Sequence, residues 1–179
     1  MRAFLDIFVF EIRFQARSAL FAGLTVITAF IHFCATRKWG IDIGLGAAKD
    51  AAGLEYNSAL AIIQNALTLS LFSVFPAMAL VAGAVMRDRE RRMVPLFHTQ
   101  PIPPAAYAGG RFAGGMVLAL VTILAGLAGA LAGLVLPGVD DAHLLPFSAA
   151  PWLYALFAIA MANMLIVGAL IGAAALATR

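Results

Sequence analysis

Charge is what this chain has least of. Only 12% of its 179 residues are Asp, Glu, Lys or Arg, while 63% are hydrophobic and the mean hydropathy is +0.96. A soluble domain carries about 25% charged and about 45–50% apolar residues. An apolar surplus of this size cannot be buried in one water-soluble core, so the bilayer is the natural solvent. Cysteine is reduced to Cys34, which excludes a disulfide framework. No basic stripe with interleaved aromatics is present, which argues against a nucleic-acid partner. Catalytic signatures are missing as well. There is no G-x-x-x-x-G-K-[ST] run to cradle phosphates and no H-E-x-x-H pair. His32, His98 and His143 stand far apart. His32 and Cys34, two residues apart, project to different faces of a helix and read as packing residues rather than ligands. The sequence assigns no catalytic residue, no cofactor and no metal, and does not read as an enzyme.

What the chain does have is four uncharged apolar runs, at 18–36, 59–86, 112–136 and 152–178. A spanning helix needs about 20 such residues. The expected fold is an all-α membrane protein: four transmembrane helices, an N-terminal interfacial amphipathic helix at 1–17 and a cytoplasmic coupling loop. The transmembrane domain is placed at 18–179. In the leader, Phe4, Ile7, Phe8, Glu11 and Ile12 keep near-helical spacing, while Arg2, Asp6, Arg13 and Arg17 supply polar positions. Such a segment lies in the interface plane; the alternative is that it extends the first span. A cleaved signal peptide is disfavoured, since its apolar core runs to about 7–15 residues.

Lysine and arginine set the orientation. With four spans, the two termini and the middle loop share a side, and that side carries nine of the 12 basic residues. Arg37, Lys38 and Lys49 lie opposite. The positive-inside rule then places both termini in the cytoplasm of a multi-pass protein of the cell (inner) membrane. Trp39 and Trp152 fall at outer span ends, where amphipathic rings favour the interface.

Within the spans, Gly129 and Gly133 form a G-x-x-x-G pair, as do Gly168 and Gly172, and Gly110 and Gly114 repeat the spacing. Small residues four apart let backbones approach closely. Packing within the chain and a dimer seam are both consistent with this, and the first is preferred. Pro76 lacks an N–H and should kink the second span. Gln64, Asn65 and Asn163 need a polar partner at membrane depth; hydrogen bonds between helices are preferred over a substrate path.

The densest charge follows the second span. The loop runs RDRERRMVPLFHTQPIPPAAYAGGRF, from Arg87 to Phe112. A helix break is expected near Met93 or Val94, then a short helix presenting Leu96 and Phe97. The prolines enforce an extended stretch, and Pro104 is placed to open the third helix. An apolar pair ringed by arginine suits a groove on a partner. A solvated basic loop that merely enforces orientation is the other reading.

This pattern resembles the cytoplasmic loop of ABC-2 type permeases, the membrane subunits of one class of ABC transporters. Arg87, Asp88 and Glu90 stand at that family's charged start, Leu96 and Phe97 in its short helix, and Thr99, Pro101 and Ile102 in its turn. Tyr107, Gly110, Arg111 and Phe112 lead into the next span. The leader from Phe10 to Ser18 resembles the amphipathic start of these permeases. The Gly-Arg-Phe version resembles the branch fused to an M1-type aminopeptidase, although no peptidase residues are present. Two departures stand out. Arg92-Met93 replaces a frequent Gly-Thr, and the chain has four spans where family members usually have six.

The resemblance implies a transmembrane subunit of an exporter that couples ATP hydrolysis by a separate ABC ATPase, bound in trans, to substrate movement. It also implies a second permease chain, as homo- or heterodimer. The docking residues would be Arg87, Arg89, Glu90, Arg91, Arg92, Leu96, Phe97, Pro101, Tyr107 and Arg111. The alternative is a non-transporting membrane anchor or assembly factor that recruits a cytoplasmic partner through residues 87–111. The span count marks the domain as incomplete, which predicts that the glycine faces at 129, 133, 168 and 172 lack part of their packing surface.

Overall fold

A computed structural model describes residues 2–37, 56–90, 102–137 and 144–177, leaving aside the side chains of Val85, Asp88, Arg89, Glu90 and Leu176. All regular structure among these residues is helical. Helix α1 covers Arg2–Ala16 and α2 covers Ala19–Thr36. The second span is built in pieces: α3 (Ala59–Phe72), one turn α4 (Val74–Pro76), a π-helical stretch (Ala77–Ala82) and α5 (Gly83–Glu90). Helix α6 runs unbroken over Pro104–Val135. The last rod is α7 (Ala149–Tyr154), a π-helical stretch (Ala155–Met161) and α8 (Ala162–Ala177). Among the described residues, four helices are long and apolar enough to cross a membrane: Ala19–Thr36, Ala59–Ala82, Pro104–Val135 and Ala149–Ala175.

The leader does not extend the first span. Ser18 separates the two helices by serving both. Its Oγ donates to the Gln15 carbonyl at 2.7 Å, closing α1, and accepts from the Phe21 N–H at 3.1 Å, opening α2. A hydroxyl at the N-cap satisfies one of the donors that a helix start leaves over.

The break in the second span falls where proline demands it. Pro76 cannot donate to the Phe72 carbonyl four residues back, and α3 ends at Phe72. Ser73 keeps a bond from its N–H to the Leu69 carbonyl at 2.9 Å, and its Oγ donates to the Ser70 carbonyl at 2.6 Å. The ladder then widens. The Gly83 N–H returns to the Met78 carbonyl, five residues back. Composition gave no warning of either π-helical stretch. Pro104 opens α6 as expected, so this helix starts eight residues before the apolar run at Phe112.

The chain divides into two compact units, whose boundaries fall inside the long helices. One comprises residues 1–23, 74–121 and 164–179, the other 24–73 and 122–163. The first has Ala77, Leu80, Val81 and Ala84 fully buried, with Met116, Ala119 and Met164 also buried. A β-carbon at Gly115 would fall 2.7 Å from the Leu80 carbonyl oxygen, so only glycine allows this backbone approach. The second unit is centred on Ile62, Ala66, Ala130, Leu134, Trp152 and Ala155. Trp152, at the start of the last rod, packs into this cluster. It is 7% exposed because alanines at 66, 130 and 155 leave room for the indole inside the unit.

The glycine pairs are filled from within the chain. Added β-carbons at Gly129 and Gly133 would strike the backbone of Ala29 and Phe33 on α2. Those at Gly168 and Gly172 would strike Met116 and Phe112 on α6. The expectation that these faces lack packing surface is therefore corrected.

Candidate functional site

Helix α1 turns its most polar pair inward. Glu11 and Gln15, one turn apart, are 0% and 1% exposed. A carboxylate is almost never fully buried unless paired, and Glu11 is paired twice. Its Oε1 accepts from Arg87 Nη2 and its Oε2 from Arg111 Nη1. Gln15 Nε2 donates to Glu11 Oε1 and, at 3.0 Å, to the Leu80 carbonyl. That carbonyl belongs to the π-helical stretch.

Two glycines on α6 make the approach possible. A β-carbon at Gly114 would fall 2.8 Å from Glu11 Cβ, and one at Gly110 would fall 3.0 Å from Ile7 Cβ. Aromatic rings enclose the guanidiniums. Arg87 lies 5.1 Å from the Phe14 ring centroid. Arg111 lies 5.5 Å from that of Phe10 and 5.6 Å from that of Tyr107. Cation–π attraction strengthens with desolvation, and Arg111 is only 8% exposed. One carboxylate between two guanidiniums leaves the cluster with a formal charge of +1. Among the described residues no group of His, Cys, Asp and Glu could hold a metal.

The cluster sits at both ends of the charged loop. Arg87 lies in the last turn of α5, which leads into residues 91–101, and Arg111 lies in α6, which begins just after them. Tyr107 lies on the first turn of α6, beside Arg111. Of the other residues singled out for docking, Arg89 and Glu90 lie on α5 with side chains outside the described set. Arg91, Arg92, Leu96, Phe97 and Pro101 lie outside the described residues altogether, as do Trp39, His98 and His143.

Sequence reasoning missed Glu11 as the organising residue, counting it instead into the apolar spacing of the leader. The available signal was a carboxylate in register with Phe4, Ile7 and Phe8 on the packed face, in a chain with few acidic residues.

The other unit holds a second buried polar cluster. His32 Nδ1 meets Asn65 Oδ1 at 2.5 Å, and Asn65 Nδ2 donates to Thr36 Oγ1 at 2.9 Å. Asn65 is thus a link between α2 and α3, the preferred reading of its position. Gln64 is half-buried and Asn163 exposed. Cys34 is buried, consistent with packing. Arg37 covers the end of α6, donating to the carbonyls of Gly133 at 3.2 Å, Leu136 and Pro137 at 3.0 Å. A guanidinium there satisfies carbonyls that have no partner inside the helix.

These features define a class: an all-α chain with four candidate membrane spans and a shorter fifth helix pinned by a buried carboxylate. No family model, no curated protein and no solved structure matches the chain.

Proposed function

We propose that the chain is a transmembrane subunit of an ABC-2 type transporter, of the exporter kind, whose loop at 87–111 docks a separate ABC ATPase. The observation that carries this reading is the double ion pair of Glu11. A loop that transmits force needs both ends fixed to a rigid body. Arg87 and Arg111 bracket the loop, and one buried carboxylate ties both to α1. This assigns them a role different from Leu96 and Phe97: they hold the loop's ends rather than touch the ATPase. Arg89, Arg91 and Arg92 remain for acidic groups on that partner. A second permease chain completes the path, both termini face the cytoplasm, and α1 lies in the interface.

The test is co-expression of the full chain with a candidate ABC ATPase from the same organism, followed by purification and nucleotide hydrolysis in proteoliposomes. The expected result is a stable complex whose hydrolysis rate differs from that of the free ATPase. Leu96→Asp and Phe97→Asp should abolish the complex while leaving membrane insertion intact. Apolar anchors often carry about 2 kcal/mol or more of an interface, and a buried unpaired charge adds a desolvation cost. Complex formation unaffected by both substitutions would remove the docking role.

A further inference from the structure

Helix α1 carries a second, exposed surface that meets the ion-pair cluster only through the rings of Phe10 and Phe14. Leu5, Val9, Phe10 and Phe14 are 49%, 39%, 55% and 40% exposed. Arg2, Asp6, Arg13 and Arg17 are exposed on the same side. At about 100° per residue, these four charged positions fall within an arc of roughly 60°. Leu5 and Val9 flank that arc on one side, Phe10 and Phe14 on the other. The result is a charged crest, net +2, running between two apolar rows.

We propose that this face binds the headgroups of anionic lipids, with Arg13 and Arg17 meeting lipid phosphates while the apolar rows enter the acyl boundary. The proposal rests on the chain being a membrane protein and is independent of whether it transports. Three observations carry it. First, both apolar rows stay exposed after packing: α1 buries the face that carries Glu11 and Gln15 against the glycines of α6, and Phe10 and Phe14 remain 55% and 40% exposed although Arg111 and Arg87 lie against their rings. Second, the charge has the sign of a phosphate surface, and arginine side chains reach across apolar neighbours to the interface. Third, Arg87 and Arg111 are engaged by Glu11, so among the described residues of this unit the exposed arginines are those on the crest. A protein groove fits less well. The core of a protein interface is depleted in charge, and here charge forms the centre of the stripe.

The experiment uses the full chain in mixed micelles containing phosphatidylglycerol and phosphatidylcholine of identical acyl chains, with bound lipid counted by native mass spectrometry. The wild type should retain phosphatidylglycerol preferentially. Arg13→Gln and Arg17→Gln should each lower that preference about five-fold, the equivalent of about 1 kcal/mol per basic residue at an anionic surface. Arg13→Lys with Arg17→Lys should keep most of it, and Lys49→Gln, on the opposite loop, should not change it. Both arginines are exposed, so the variants should elute and unfold like the wild type. Equal retention of the two lipids would overturn the proposal, as would loss of phosphatidylglycerol to millimolar inorganic phosphate. A photo-crosslinker at position 9 that traps a second copy or the ATPase, rather than lipid, would also overturn it. Loss of the ATPase complex in the preceding test would leave the lipid result untouched.

Discussion

Asn65 presents Oδ1 to His32 Nδ1 because its Nδ2 already donates to Thr36 Oγ1, whose hydroxyl hydrogen goes to the His32 carbonyl at 2.9 Å. The chain of donors runs one way and so fixes the imidazole tautomer, with the proton on Nδ1. His32 Nε2, in a fully buried side chain, is then an acceptor with no donor among the described residues. Phe72 meets the ring edge-on at 6.4 Å between centroids. Asn65→Leu removes the partner of a buried N–H. The net value of an interhelical hydrogen bond in a membrane averages about 0.6 kcal/mol, but leaving a buried polar group unsatisfied costs about 1–3 kcal/mol. The second effect dominates. The unfolding free energy in mixed micelles should fall by about that amount, and an unchanged value would show that the network adds nothing.

Glu11→Gln is the more damaging change. It keeps the shape but leaves two guanidiniums, one of them buried, without their carboxylate. Removing one partner of a buried pair costs about 3–5 kcal/mol. Arg87→Gln should cost less, since that side chain is 25% exposed and screened by solvent. A double-mutant cycle over Glu11→Gln and Arg111→Gln should show a coupling within the range of about 0.5–3 kcal/mol seen for contacting residues. Additive losses would mean that the buried contact contributes no coupling.

Glycines provide an internal contrast. A β-carbon at Gly129 would collide with the Ala29 backbone, whereas one at Gly23 meets nothing within 4 Å. Gly129→Ala must push α2 and α6 apart, and overpacking of this sort costs about 1–3 kcal/mol. Gly23→Ala stays within α2 and should stabilise it by up to about 1 kcal/mol, the helix-propensity difference. Unfolding midpoints of the two variants should move in opposite directions. A shift of the same sign and size in both would contradict the close approach at Gly129.

The spans were legible because lipid leaves no choice of backbone structure: an uncharged run of this length must be helical. Pro76 and Pro104 were legible because proline acts through its own missing N–H. The contacts of single polar residues were not. Glu11 looks like an interruption of an apolar face until Arg87 and Arg111, 76 and 100 residues away, are brought to it. The burial of Trp152 was not legible either, because it depends on alanines at 66, 130 and 155 that only the fold brings around the indole. The π-helical stretches left no trace in composition, since a one-residue change in hydrogen-bond register alters no periodicity that so uniform a run of apolar residues would display.

Orientation is the remaining prediction, and it follows from arginine placement. Nine of 12 basic residues fall on the side of the termini and the middle loop, a bias that sets topology when counted near span ends. Single cysteines at Asp50, Asp141 and Arg89, introduced with Cys34→Ser, give a direct reading. An impermeant maleimide added to intact cells should label positions 50 and 141. Position 89 should react only after the membrane is opened. Burial of the native thiol makes it a weak competitor in any case, so the Cys34→Ser background removes a minor signal rather than a structural element. Labelling of position 89 from outside, with 50 and 141 protected, would invert the orientation. It would then place the 87–111 loop beyond the reach of any cytoplasmic ATPase, and the docking proposal would fall with it.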